Sequence, residues 1–334
     1  MTTAATLSVR EETFEHIRDE WSALITRLPE AIPFVTPAWQ RCWLDHFQGQ
    51  RVLRIYCVRE NSRLTGVLPL LVEDATAEFV GHYSICDYMD AVIEPGAEPA
   101  AWAALLERVA ADGIRELDLR GVLSESPTST AIAAAAEAGW DCTREREAIS
   151  PGVALPGSWE EYLGRLSKKD RHELRRKLRR LDTAGGDVSF RVITEAAEAQ
   201  SLLERFFHLM RISNHHKEEF LARPGMEPFF RDMTGRMADA GMLRFHWLTF
   251  DNEPVAGVLN FDVGGRLYMY NSGYDPAYSH YAVGLMSKAL LIQEAIECGR
   301  TFVDFMRGDE SYKYDLGGQD RVVWRIRLAV RSSE

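Results

Sequence analysis

No stretch of this 334-residue chain approaches the run of about eighteen apolar residues that a membrane-spanning helix needs. Met1–Thr6 lacks the basic start and apolar core of a secretory signal, so the expected compartment is the cytoplasm. Cysteine is sparse: Cys42, Cys57, Cys86, Cys142 and Cys298 are odd in number, lie far apart and form no C-x-x-C pair. That excludes a disulfide framework or a zinc knuckle and leaves reduced thiols used as small core residues. No H-E-x-x-H is present. The adjacent His215 and His216 point about 100° apart if helical, and His246 alternates with Trp247 on a predicted strand, so these histidines read as structural and no metal is expected. G-x-S-x-G is also missing, which disfavours a covalent serine intermediate. Positive charge is in deficit, with a net charge of −11, so the protein as a whole should not cling to nucleic acid.

What is present is a repeat. Leu53-Arg54-Ile55-Tyr56-Cys57-Val58, Glu60-Asn61 and Gly66-Val67-Leu68 return downstream as Leu243-Arg244-Phe245-His246-Trp247-Leu248, Asp251-Asn252 and Gly257-Val258-Leu259. Farther along, Gly113–Gly121 with its Leu117-Asp118-Leu119-Arg120-Gly121 echoes Gly299–Gly308 with its Val303-Asp304-Phe305-Met306-Arg307-Gly308. Both matches keep their order, and the offset is far longer than the roughly 20–50 residues of a solenoid repeat. Two copies of one domain are therefore expected, as residues 1–155 and 187–334, joined by a basic linker helix at 156–186. A length of 334 residues with 46% hydrophobic and 27% charged residues suits two soluble domains.

The linker breaks the acidic trend. Arg165–Arg180 holds nine Lys or Arg in sixteen residues, and Leu163, Leu166, Leu174, Leu178 and Leu181 mark one apolar stripe. Ser158 with Glu160 and Glu161 predicts the N-terminal cap. The rod could be solvated, could contact phosphates such as those of tRNA, or could touch an anionic surface. In the second copy the patterning predicts a strand at Val188–Ile193 and helices at Glu195–Arg211 and Met226–Ala240. An antiparallel meander follows at Leu243–Phe250, Val255–Val263 and Arg266–Ser272, then a helix at Val283–Cys298 and strands at Phe302–Phe305 and Val322–Val330.

That order, with Gly284-Leu285 at a helix start and Gly299-x-x-x-x-Asp304-Phe305-x-Arg307-Gly308-Asp309-Glu310-x-Tyr312-Lys313, resembles the GNAT acyltransferases. Within them it is most similar to the CelD-like branch, named for a cellulose-biosynthesis association and related to the tandem-GNAT Fem-type aminoacyltransferases. Leu166-Ser167-Lys168-Lys169 through Arg180 and Phe34-x-Thr36-Pro37-x-Trp39 carry the same resemblance. It implies an α+β fold of tandem GNAT-like domains, each a mostly antiparallel twisted sheet flanked by helices. It also implies an acyltransferase that uses acyl-CoA as co-substrate, with no tightly bound cofactor, and moves the acyl group to an amine or hydroxyl of a small-molecule or saccharide acceptor. Aminoacyl-tRNA is the second donor, and a non-catalytic scaffold is the rival class.

In such a fold a splayed strand offers backbone groups to a pantetheine arm, and the next helix turns its N–H groups to a pyrophosphate. Carried over, these positions are Tyr270, Asn271 and Ser272 on the strand, and His280, Ala282, Gly284 and Leu285 at the helix start. The loop departs from the usual Gln/Arg-x-x-Gly-x-Gly/Ala, and Gly284 serves equally for helix–strand packing. Tyr274, Tyr278, Arg307 and Tyr312 are candidates to line the acceptor site. Glu310, with a raised pKa, could take the acceptor's proton, and the Lys313 ammonium could offset an oxyanion. Asp304 could orient a donor or act as a base through water, or could simply pair with Arg307 or cap a loop N–H. Lys168, Lys169, Arg175, Arg176 and Arg179 are the candidate phosphate contacts.

Overall fold

A computed structural model describes residues 7–331, which divide into two compact units, residues 7–149 with 321–331 and residues 150–320. None of the helices among the described residues is long and apolar enough to cross a membrane.

The first unit contains β1 (Leu7–Glu11), α1 (Phe14–Ile25), α2 (Pro37–Phe47), β2 (Val52–Glu60), β3 (Arg63–Glu73), β4 (Thr76–Phe79), β5 (Val92–Ile93), α3 (Glu98–Ala111), β6 (Glu116–Leu123), α4 (Pro127–Ala136) and β7 (Trp140–Ile149). Helix α1 forms because Phe14, Ile17, Trp21 and Leu24 recur at helical spacing and bury one face. Helix α2 starts where Thr36 accepts the Trp39 N–H and Pro37 presets the first turn. The sheet order is β1-β2-β3-β4-β6-β14-β7, with β5 on β3, where β14 is Val322–Val330.

The strand β14 corrects the expected domain boundary. Sequence order assigns it to the downstream domain, yet it lies between β6 and β7 of the first unit. Charge explains the placement. Arg325 grips Asp118 of β6 through Nε and one terminal nitrogen, the first bond at 2.7 Å, and Arg327 reaches Glu145 of β7 at 3.0 Å. Val323, Ile326 and Leu328 turn into the core.

The second unit contains β8 (Gly152–Ala154), α5 (Trp159–Arg165), α6 (Lys168–Asp182), β9 (Val188–Ile193), α7 (Ala196–Ser213), α8 (His215–Leu221), α9 (Met226–Asp239), β10 (Leu243–Phe250), β11 (Glu253–Val263), β12 (Arg266–Tyr274), α10 (Val283–Glu297), β13 (Phe302–Asp304) and α11 (Ser311–Asp315). Its sheet order is β8-β13-β12-β11-β10-β9.

The expected linker is two helices, not one, and is not a linker. Ser158 caps α5 through the Glu161 N–H, and Ser167 caps α6 through the Asp170 N–H, breaking the rod between them. Leu163, Leu166, Leu174 and Leu181 are buried in the second unit's core beside Val283, Met286 and Leu316. Arg180 donates to the His280 carbonyl at 2.9 Å and the Tyr281 hydroxyl to the Ala184 carbonyl at 3.3 Å, fixing α6 against the approach to α10.

The sequence repeat is a structural repeat. β2–β3 pairs Val58 with Gly66 and bulges after Val58, and β10–β11 pairs Leu248 with Ala256 and bulges after Leu248, so the hairpins correspond but Gly257 lies one residue beyond the place of Gly66. The turns place Asn61, Asp251 and Asn252 at positive φ. In the first unit β4 and β6 run parallel through Thr76–Glu116, Ala77–Leu117 and Glu78–Asp118. In the second, β12 and β13 run parallel through Arg266–Phe302, Leu267–Val303 and Tyr268–Asp304. Asp118 and Asp304 therefore hold the same register position, as the sequence match predicts.

Candidate functional site

The parallel ladder between β12 and β13 stops at Tyr268–Asp304, whereas β12 continues to Tyr274. Residues Met269–Tyr274 thus have no strand beside them on that edge among the described residues. Backbone groups there need other partners. The Ser272 N–H takes the Asn271 side-chain oxygen at 3.0 Å, and the Ser272 carbonyl and hydroxyl take the Lys217 ammonium from α8, the hydroxyl at 3.2 Å. Gly273 is required by packing, because a Cβ there would stand 2.5 Å from the Met210 amide nitrogen on α7.

Helix α10 starts from Ala282, a non-glycine residue at φ 55, with no side-chain cap on its first N–H groups. Such an end favours an anion. Gly284 lets the helix pack closely on the strand, since an added Cβ would lie 2.8 Å from the Tyr274 ring. The Gly284 carbonyl accepts from the Lys288 ammonium at 2.8 Å and from the Ser287 hydroxyl at 3.2 Å. Leu285 lines a hollow of about 120 Å³ with Lys169, Leu174, Lys177 and Leu316.

Beyond β13 the chain turns sharply. The buried Asp304 carboxylate accepts the N–H of Met306, a residue at φ 64. This is the turn-closing alternative, and it positions the loop that follows. Lys313 is 2% exposed and donates to the carbonyls of Met306 (2.9 Å), Arg307 (2.7 Å) and Gly308 (3.1 Å), with the Glu310 carboxylate at 2.8 Å. An ammonium has three N–H donors, so Lys313 is fully engaged and knots residues 306–310. Glu310 departs from expectation. Its carboxyl lies below, not above, the ordinary carboxylate range: burial pushes it up, but the Lys313 ammonium outweighs that. It is exposed and ionised at neutral pH.

Two lysines that the sequence reading passed over belong to this site. Lys288 on α10 is 6% exposed and lies 4.9 Å over the Tyr312 ring. Burial, then the Lys217 and Lys313 charges, push it down to about 7. Lys217 is pushed down to about 8 by burial, with Glu310 acting against that. The signal for Lys288 is legible: it is a lone cation among Val283, Met286, Ala289, Leu291 and Ile292, on an inward face where Ser287 is the other polar residue. Tyr312 is held above its usual range by burial.

The aromatic candidates separate. Tyr274 packs on Gly284. Tyr278 and Tyr281 pack on Phe250, with ring centroids 5.5 and 5.3 Å away, and Tyr270 packs between Phe230 and Phe261. Arg307 lends its carbonyl to Lys313, and the His280 carbonyl serves Arg180. On α6, Arg175 pairs with Glu160 and Arg176 with Glu173. The Arg179 Nε donates to the Arg175 carbonyl.

The buried His246 is structural. Asn260 donates to its Nδ1 at 2.9 Å, so Nε2 donates to Glu294 at 3.2 Å. Burial raises the Glu294 carboxyl, but His246 and Arg244 prevail and hold it at about 2.

A mixed sheet whose parallel pair splays open beside a helix N-terminus defines a class. Residues 168–314 match the family model "Acetyltransferase (GNAT) domain". The matched residues lie within the second unit and make up less than half of the chain, and the fold is shared with GNAT proteins, a tandem GNAT protein among them. The chain is similar in structure to FemX, with a TM-score of 0.65 at 12% identity over 97% of each chain. It is also similar to the C-terminal domain (DUF2156) of a putative lysylphosphatidylglycerol synthetase from Agrobacterium fabrum, with a TM-score of 0.59, 11% identity, and 96% and 93% of the two chains covered. A tandem GNAT protein from the clavulanic acid biosynthesis pathway gives a TM-score of 0.50 at 16% identity, covering 98% and 100%. No curated protein matches the chain.

Proposed function

We propose that the second unit transfers an acyl group from acyl-CoA to an amine or hydroxyl acceptor at the open edge of β12. The acceptor attacks the thioester carbonyl directly, the C–S bond breaks, and the acceptor's proton is passed on to the departing thiolate. The observation that carries this reading is the early end of the β12–β13 ladder beside the uncapped start of α10. Those two features together offer a strand edge for an extended arm and a positive helix end for its phosphates. Glu310, exposed and ionised, is suited to relay the proton. Asp304 and Lys313 shape the loop that bounds the gap.

The ion pairs on α6 favour CoA over tRNA, since Arg175 and Arg176 already hold carboxylates. A thermal-shift titration tests the donor. CoA and acetyl-CoA should each raise the melting temperature with saturation, by RT ln(1 + [L]/Kd) in free energy. Silence with both, together with salt-sensitive binding of tRNA, would replace CoA by an aminoacyl-tRNA donor.

A further inference from the structure

Three lysines surround the open edge of β12: Lys217 reaches Ser272 on the strand, Lys288 reaches the Gly284 carbonyl at the start of α10, and Lys313 holds the loop after β13. They come from three elements: Lys217 from α8, Lys288 from α10 and Lys313 from α11. Lys313 also holds the Glu310 carboxylate at 2.8 Å. Neither Lys217 nor Lys288 has a carboxylate within ion-pair distance among the described residues. Lys288 spends one of its three donors on the Gly284 carbonyl and otherwise faces the Tyr312 ring. A buried, unpaired ammonium is costly, and an apolar side chain at position 288 would pack among its neighbours without that cost.

We propose that Lys217 and Lys288 form a recognition pocket for a compact anion, a carboxylate or phosphate group, carried by the acyl group or the acceptor that enters beside Met269–Tyr274. The inference rests on the acyl-transfer reading and narrows its substrate class. The anion is compact because Lys288 is recessed, only 6% exposed, and Lys217 is half-buried. A phosphodiester backbone could not press several phosphates onto them. Other groups facing the pocket are the Glu310 carboxylate, which competes for the same cations, and Tyr312, held neutral by burial.

An anion that binds here draws protons onto Lys217 and Lys288, so binding takes up protons and weakens as pH rises. Affinity should fall about tenfold per pH unit once one such lysine is neutral in the free protein.

The test uses the full chain, with ionic strength held constant by chloride, at pH 6.5 and pH 9. Succinate and inorganic phosphate serve as free anions, and acetyl-CoA is compared with succinyl-CoA. Both free anions should raise the melting temperature at pH 6.5 and much less at pH 9, and Lys217→Met and Lys288→Met should abolish that difference. General salt stabilisation persists in the variants and cancels. Binding of succinyl-CoA at least tenfold tighter than acetyl-CoA assigns the anion to the acyl group. Equal binding, with a succinate shift that adds to saturating CoA, assigns it to the acceptor. Lys288→Met should melt no lower than wild type at pH 6.5, because it removes an unpaired charge, whereas Lys217→Met also gives up the bonds to Ser272 and serves only for the anion shift.

The proposal is overturned if both variants keep the pH-dependent anion shift, or if wild type shows none while CoA still binds. In the latter case the acyl-transfer reading survives alone. Loss of CoA binding with the anion shift intact would instead remove the CoA donor.

Discussion

The two halves begin alike and diverge at one point. Each has a parallel pair of three residues, ending at Glu78–Asp118 in the first and Tyr268–Asp304 in the second. In the first half β4 stops at Phe79, one residue later, and the chain itself fills the gap. The Met89 N–H donates to the Gly121 carbonyl at 3.0 Å, and β5 returns to pair Ile93 with Gly66. A Cβ at Gly121 would lie 3.1 Å from the Met89 nitrogen, so that closure is tight. In the second half β12 runs six residues further with its edge open and lysines around it. One architecture is thus closed by its own chain in one copy and left open in the other. The aspartates follow suit: Asp118 is an ion-pair partner of Arg325, whereas Asp304 shapes the loop at the gap.

The sharpest break of this comparison tests which half owns the last strand. Ile326 is 1% exposed, opposite Leu119 on one side and Arg144 on the other. Ile326→Asp buries an unpaired carboxylate and should cost about 3–5 kcal/mol. Hydrogen exchange should show protection lost across β2, β3, β6 and β7, and much less across β10 and β11. Equal loss in β10 and β11 alone would return the strand to the second half.

Much of this was legible in sequence because apolar alternation marks central strands. Val188–Ile193, Leu243–Phe250 and Val322–Val330 fall as the patterning predicts. The strand β7 was not read because Asp141, Arg144, Glu145, Arg146 and Glu147 make it look like a loop. It is an edge strand, where charge is tolerated and discourages further pairing. The ownership of β14 was also hidden, since strand order in a sheet is set by pairing across about two hundred residues and not by local pattern. At the site, Glu310 and Lys313 were found through the resemblance. Their mutual neutralisation, and the role of Lys217 and Lys288, depend on burial that only packing reveals.

A smaller effect separates the extension of β12 from the repeated part. Gly273 lies in the stretch with no counterpart in the first half, and a Cβ there meets α7 backbone at 2.5 Å. Gly273→Ala should cost about 2–3 kcal/mol in chemical denaturation and weaken CoA binding, because α7 must withdraw from the strand. Gly66 and Gly257, on the strands that both halves share, meet side-chain atoms of Val58 and Phe206 at 3.1 and 3.0 Å, a looser approach than at Gly273. Alanine there should cost about 1 kcal/mol in each half. Similar costs at all three positions would mean that the extension is not held more tightly than the shared core.

The smallest expected effect contrasts two ionisable groups of opposite sign. In the first half, Asp90 lies in the segment that fills the gap. Burial raises its carboxyl to about 6, with the Ser126 and Thr128 hydroxyls and the Ala91 N–H pulling it back down. In the second half, burial and neighbouring cations lower Lys288 to about 7. The folded state binds more protons than the unfolded chain at Asp90 between pH 3.8 and about 6, so that group weakens stability as pH rises through this window. At Lys288 the folded state binds fewer protons between about pH 7 and 10.5, so stability rises with pH there. Asp90→Asn should therefore gain on wild type above pH 6 and match it near pH 4. Lys288→Met should gain below pH 7, and the advantage should fade toward pH 10. Each gain is on the order of 1–2 kcal/mol, read from denaturation midpoints across pH. Parallel profiles for the two variants would mean that the two halves do not bury opposite charges at this point, and the contrast between a filled gap and an open one would lose its electrostatic half.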